Sequence, residues 1–274
     1  MRPTLLPAIA LFVLAGPAIA EGEFEIDQAC VATGCFPGDA PGFPITLVND
    51  GAYRLTSDIA VSGGLAVNGI EITARRVDLD LGGFSVQGGG ECILNPDLQC
   101  SGAAAGRGIV QSSAGTLLRI HDGAVVGMGS GGIVAFALSY GSSFENLTIL
   151  GNAGGLPLVV SDAGGQVPVQ MRGIRCVRNE GNCGIFNNGA RLQVSDSVFS
   201  ENDSGLIVGF GSVVTDCLFT RNIGFGLSGG NPSTQVAFGR NYFSENNGSD
   251  ASAQYSIGVA RDMGHNVCGD GSCP

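Results

Sequence analysis

The chain of 274 residues has no lysine and no tryptophan, and only two histidines and four tyrosines. All 13 of its basic residues are therefore arginine. Without lysine there is no amine for Schiff-base chemistry and no lysine general base. Charged residues make up 14% of the chain and acidic ones dominate, for a net charge of −11. Such a surface repels nucleic acid and anionic membranes, and neither is expected as a partner. It repels acidic polysaccharides too, unless a cation or a local arginine patch intervenes. Beyond residue 20 no apolar run is long enough to span a bilayer.

The opening stretch, "MRPTLLPAIALFVLAGPAIA", places Arg2 before an apolar run from Ala8 to Ala15, with Ala18 and Ala20 as an A-x-A cleavage site. This pattern reads as a signal peptide over residues 1–20, and no cysteine stands near its end to take a lipid anchor. A secreted or periplasmic protein is expected. Loss of Arg2 leaves twelve arginines against 24 acidic residues, or −12.

The nine cysteines are then read as disulfides plus one left over. Cys30 and Cys35 are 5 apart, Cys92 and Cys100 are 8 apart, Cys176 and Cys183 are 7 apart, and Cys268 and Cys273 are 5 apart. Four local loops with Cys217 as a free thiol is the simplest pairing; spacing alone leaves swapped partners open. No C-x-x-C occurs, and His121 and His265 lie away from every cysteine pair except at Cys268, so no metal ligand set is read from the cysteines.

Glycine, at 46 residues, is abundant, yet 44% of the chain is hydrophobic. That combination describes short strands and tight turns rather than a disordered linker. A refrain runs through the second half: "SVFSENDSGLIV", "CLFTRNIGFGLS", "YFSENNGSD". Its asparagines are Asn152, Asn179, Asn202, Asn222 and Asn246, at steps of 27, 23, 20 and 24 residues. Three positions before each stands an apolar residue: Ile149, Cys176, Phe199, Phe219 and Phe243. A glycine follows each within a few residues. One step fits a coil of three short strands and three bends, with the bends assigned to Asn and Gly, which tolerate left-handed backbone. Stacked coils would put the asparagines about 4.8 Å apart, in reach of one another as a hydrogen-bonded ladder. Looser versions occur upstream in "YRLTSDIAV", "VDLDLGGFSVQG" and "RIHDGAVVG".

These phrases, with the closing "GHNVCGDGSCP", resemble right-handed parallel β-helix proteins of the pectate-lyase-like superfamily, especially secreted bacterial members of unassigned activity. The resemblance covers roughly residues 45 to 274. It implies an all-β, single-domain right-handed parallel β-helix with disulfide-tied ends, preceded by an N-terminal cap or tail at 21–44. It also implies two chemistries to look for: calcium-dependent lyase and carboxylate-based hydrolase. The hydrolase strings N-T-D, G-H-G and R-I-K are absent, "GHN" at 264–266 matching only partly.

Two groups remain as binding or catalytic candidates. Asp78, Asp80, His121, Asp122 and Glu145 would form a polar strip on adjacent rungs, able to hold calcium or move protons. The structural alternative makes the aspartates of "DLDL" the outward half of an alternating strand and "HDG" a turn. Arg172 and Arg175, with Arg178, would form a second strip able to take a sugar carboxylate, or else pair with Glu180, Glu201 or Asp203. The 88–108 segment is read as a groove lip or an insertion. Exposed aromatics are limited to Tyr53, Tyr140, Tyr242 and Tyr255. The leading expectation is a non-catalytic protein binding a polysaccharide or cell-surface glycan, with no cofactor. The alternatives are a calcium-dependent polysaccharide lyase or epimerase, and a structural or adhesive module.

Overall fold

The computed structural model describes residues 22–61, 67–95, 97–101, 106–162, 168–185, 190–269 and 271–273; the expected signal peptide lies outside them. The described chain is a parallel β-solenoid of about 8 turns. Its one helical element is a 3-10 turn at Cys30–Ala32. Each coil contributes a strand to three faces. The first face runs from Phe24–Ile26 through Gly51–Leu55, Arg76–Asp80 and the front of Leu117–Val126, and ends at Val259–Asp262. The second begins with Ile59–Ala60 and Ser85–Gln87 and ends at Val267–Cys268. The third is a separate 9-stranded sheet from Ile45–Leu47 to Tyr255–Ser256. Leu117–Val126 and Ser143–Leu150 bend without a break from the first face into the second.

Strand register turns sequence alternation into rows. On the first face Tyr53, Leu79, Ile120, Phe144, Met171 and Val194 lie in register, all buried. On the second, Ile149, Cys176, Phe199, Phe219 and Phe243 do the same. The phenyl rings of Phe199, Phe219 and Phe243 stack at 5.3 and 4.9 Å, tilted by only 11° and 10°. Each such burial contributes about 1.5–3 kcal/mol. The Cys176–Cys183 disulfide crosses the core from the second face to the third. Cys92–Cys100 joins two directly paired residues of an antiparallel hairpin, Glu91–Leu94 with Leu98–Ser101, in the segment read as a lip or insertion. Cys30–Cys35 and Cys268–Cys273 close loops toward the two ends. Residues 21–44 contribute Phe24–Ile26 to the first face and the buried side chains of Ile26, Val31 and Phe36.

The corners correct one expectation. The left-handed residue of the bend is not the repeated asparagine but the residue before it: Gly151, Arg178, Glu201, Arg221 and Glu245, with φ of 64°, 52°, 58°, 53° and 54°. The asparagines lie buried just past it. Oδ1 of Asn179 accepts from both Nδ2 and the backbone N–H of Asn152, at 3.0 and 2.9 Å. Asn202, Asn222 and Asn246 repeat the pattern. The backbone N–H of Met128 donates to Asn152 at one end, and Gln254 Oε1 accepts from Asn246 at the other. The first-to-second-face corner holds a looser ladder of Ser197, Cys217, Asn241 and Asn266. The third corner uses the Ser142 and Ser212 hydroxyls as acceptors for the N–H groups of Leu118 and Leu192.

Two outcomes test this account. Asn202→Ala strands the Asn179 donors in a dry corner, and should destabilise by about 1–3 kcal/mol in denaturant titration. Ser249→Ala, in an exposed loop, should change stability by no more than about 0.5 kcal/mol. Burial pushes the Cys217 thiol up to about 12, and its Sγ donates to Thr215 O. Thiol reagents should leave Cys217 unmodified at neutral pH until the coil opens; labelling as fast as that of a free thiol would contradict this environment.

Candidate functional site

The first face carries the candidate residues, and register fixes their order. Two outward rows flank the buried Leu79–Ile120–Phe144 row. One runs Asp78, Arg119, Ser143, Gln170, Gln193; the other runs Arg54, Asp80, His121, Glu145, Arg172, Ser195. Asp122 stands at the adjoining corner, with φ of 58°. The "DLDL" and "IHDGA" stretches thus meet because Arg119 pairs with Asp78 and His121 with Asp80 across adjacent strands.

His121 is the hub. Its Nε2 lies 3.0 Å from Asp78 Oδ1, and its Nδ1 lies 2.8 Å from Asp122 Oδ2 and 3.7 Å from Asp80 Oδ1. The side chain is only 14% exposed, against 46% for Asp78 and 52% for Asp122. A neutral imidazole donates through one nitrogen only, so the second faces its carboxylate as a lone pair unless the ring is doubly protonated or a cation lies between. Asp80 Oδ1 accepts from the N–H of Gly82 at 2.7 Å, and Arg54 approaches its other oxygen at 3.6 Å. Arg119 bridges Asp78 and Glu145 at 3.7 and 3.6 Å, and Glu145 also accepts from the Ser143 hydroxyl at 2.9 Å. Asn146 Nδ2 donates to Asp122 Oδ1 at 2.9 Å. That bond, and then the bond from His121, hold the Asp122 carboxyl below its ordinary value. Four carboxylates against two guanidinium groups leave the cluster negative.

Donor atoms of Asp80, His121 and Asp122 all lie within 4.8 Å of one another, a spacing that would admit a single cation. Two oxygens and one imidazole nitrogen suit a transition metal better than calcium, which favours an all-oxygen shell.

The arginine strip is divided. Arg172 ends a first-face strand and pairs with Asp196 at 3.1 Å, whereas Arg175 starts a second-face strand beyond the bend at Gly173. Arg178 and Arg221, at the next corner, both bind the buried carboxylate of Glu201. Glu180 and Asp203 instead accept from the N–H groups of Gly154 and Gly181. The reason is geometric: three-residue spacing across a solenoid corner carries side chains to different faces.

The aromatic expectation is also corrected. Tyr53 is fully buried, its hydroxyl donating to Asn49 O at 2.7 Å, and Tyr255 packs on Phe238 and Phe243. Tyr140 and Tyr242 are exposed, as is Phe210.

Sequence reasoning missed Arg54, Arg119, Ser143, Gln170 and Gln193. Alternation held the signal for Arg119, Ser143 and Gln170, each two residues before a named candidate, whereas Arg54 and Gln193 are placed only by the register between coils. Two shallow grooves lie on this face. One, of ≈ 310 Å³, is lined by Arg76, Asp78, Leu117 and Arg119; the other, of ≈ 290 Å³, by Gln170, Arg172, Gln193 and Thr215. No protein-family model matches the chain, and no curated protein matches it.

The depressed Asp122 carboxyl has a consequence for stability. Its unfolded value is about 3.9, so its contribution is full above that pH and is lost as pH falls through the lower folded value. Asp122→Asn should flatten acid unfolding in that window and lower neutral-pH stability by the same amount, with no added cost from the backbone, because Asn tolerates the left-handed corner and keeps an acceptor for Asn146. Acid titrations of the two proteins that superimpose would show that the carboxylate contributes nothing.

Proposed function

We propose that the chain is an exported, non-catalytic protein that binds a polysaccharide or cell-surface glycan along the first face of the solenoid. The observation that carries this reading is the pair of shallow grooves on one flat, polar face. They lie over in-register rows of Asp, Arg, Gln and Ser side chains. Such rows offer repeated donors and acceptors along the axis, suited to an extended chain of repeating units. Arg76 and Arg119 supply local positive charge where an acidic sugar would otherwise be repelled. The resemblance to pectate-lyase-like β-helix proteins supports the same class of ligand. Export is supported by the four disulfides and by the apolar opening stretch.

The carboxylates argue for binding over catalysis. Asp122 is held ionised by two hydrogen bonds, and Asp78 and Glu145 are each engaged by Arg119. A general base works best when its pKa lies near the working pH, and a depressed carboxyl is a weak one. The second reading, a cation-dependent lyase or epimerase, rests on the Asp80–His121–Asp122 spacing.

A glycan array followed by titration calorimetry would test both. Arg119→Ala combined with Gln193→Ala should weaken binding about tenfold or more, while Arg175→Ala on the second face should not. Binding unmoved by the first-face variants would sink the proposal. So would new ultraviolet absorbance from unsaturated uronates, dependent on calcium and lost in His121→Ala.

A further inference from the structure

Asp80, His121 and Asp122 converge on one point because of two features of the chain. Asp80 and His121 are register partners on adjacent strands, so their outward side chains lie side by side. Asp122 follows His121 directly, and neighbours along a regular strand point to opposite sides of the sheet. Its φ of 58° breaks that alternation, and its carboxylate reaches the imidazole of the residue before it.

The histidine, and the way each member is held from behind, set this trio apart from an ordinary group of surface carboxylates. His121 is largely buried, with both ring nitrogens against carboxylate oxygens: Nε2 at 3.0 Å from Asp78 Oδ1 and Nδ1 at 2.8 Å from Asp122 Oδ2. A proton on Nε2 serves Asp78 and leaves Nδ1 as a lone pair facing Asp122 and, at 3.7 Å, Asp80 Oδ1. Three electron-rich donors this close repel unless positive charge lies among them. Each donor also has an outer partner. Asp78 fixes the imidazole tautomer, Asn146 Nδ2 holds Asp122 by Oδ1 and leaves Oδ2 toward the ring, and the N–H of Gly82 holds Asp80. A carboxylate behind a histidine is the usual outer support of a metal-ligating imidazole.

We infer that Asp80, His121 and Asp122 bind one divalent first-row transition-metal ion of the zinc type, with Asp78 as the outer support of His121. Bonds of about 2.0–2.2 Å put neighbouring donors about 3–3.5 Å apart. The contacts at Nδ1, 2.8 and 3.7 Å, bracket that spacing. Calcium takes about six to eight oxygens at longer range, and this set offers a nitrogen and two carboxylates. Charge agrees: Asp78, Asp80 and Asp122 face only Arg54 and Arg119, at 3.6 and 3.7 Å, so a divalent ion meets a net negative site. Asp122 is half exposed, and coordination positions not filled by protein open to solvent.

Titration calorimetry of chelator-treated protein with zinc, manganese and calcium chlorides, each without glycan, tests the assignment. The expected result is one zinc per chain, with manganese weaker, as the order of these ions at nitrogen and oxygen ligands requires, and calcium weaker again. His121→Ala should abolish zinc binding and His265→Ala should leave it unchanged. Asp78→Asn removes no ligand and should weaken zinc about tenfold or more. Melts of the metal-free variants verify that the fold is intact. Zinc binding that is absent up to about 1 mM, or unmoved by His121→Ala, overturns the inference, as does calcium binding as tightly as zinc. An affinity untouched by Asp78→Asn overturns its supporting role. Since no glycan is present, these outcomes are separate from the glycan-binding test.

Discussion

The structure depends on one constraint: every coil must turn its corners at the same place, and each dry corner must satisfy its backbone polar groups. Elsewhere the strand ladder does this automatically, because each N–H and C=O meets the coil above or below. At a corner the chain leaves the ladder. The buried asparagines restore the missing partners, each Oδ1 accepting two donors from the neighbouring coil and each Nδ2 reaching a backbone carbonyl. Because an unpaired buried donor costs about 1–3 kcal/mol, a coil that slipped by one residue would lose this as well as turning its apolar row outward. Register, and with it the placement of every outward side chain, follows from the corner.

The same constraint decides where charge can sit. A left-handed residue precedes each ladder asparagine, and from Arg178 onward these residues carry charged side chains, that of Glu201 buried beneath its arginine partners. Stacking then brings those side chains together, so like charges in adjacent coils would repel at strand spacing. The column reads Arg178, Glu201, Arg221, Glu245, alternating in sign, and both arginines bind the Glu201 carboxylate. On a chain of net charge −11, four charges ordered this way show local pairing overriding overall composition.

Much of the fold is legible in the sequence because the repeat is periodic and its chemistry is narrow. Ile149, Cys176, Phe199, Phe219 and Phe243 are apolar at a fixed offset from Asn, and that offset is enough to form the inner row. The second ladder was not legible. Its members are serine, cysteine and asparagine, chemically unlike each other, and what unites them is only a shared corner and an acceptor or donor atom at it. The left-handed residues escaped for a related reason: Arg and Glu do not advertise that conformation, and packing imposes it on them. At the candidate site the carboxylates and His121 stood out by residue type and Arg119 lay two residues from His121 on one strand, while Arg54 and Gln193 needed the register between coils. Sequence cannot supply that register where loops of different length intervene.

A rigid frame with register-locked rows lets each face carry its own chemistry. On the first face, outward positions in the early coils hold Asp, Arg and His, and in the later ones Gln, Ser and Thr and then Val213 and Ala237, without disturbing the inner row. On the second face one row over the later coils is aliphatic or aromatic, Val198, Leu218 and Tyr242, beside a row of hydroxyl residues, Ser200, Thr220 and Ser244. The inner rows tolerate little change, since each residue packs against the ones above and below it. An outward residue touches only other outward residues on its own and adjacent rungs, as His121 touches Asp78 and Arg119 touches Glu145, so a substitution there alters the surface locally and leaves the inner row alone. Polar stripe and apolar stripe can therefore coexist on a chain this small, separated by a corner whose hydrogen bonds belong to neither.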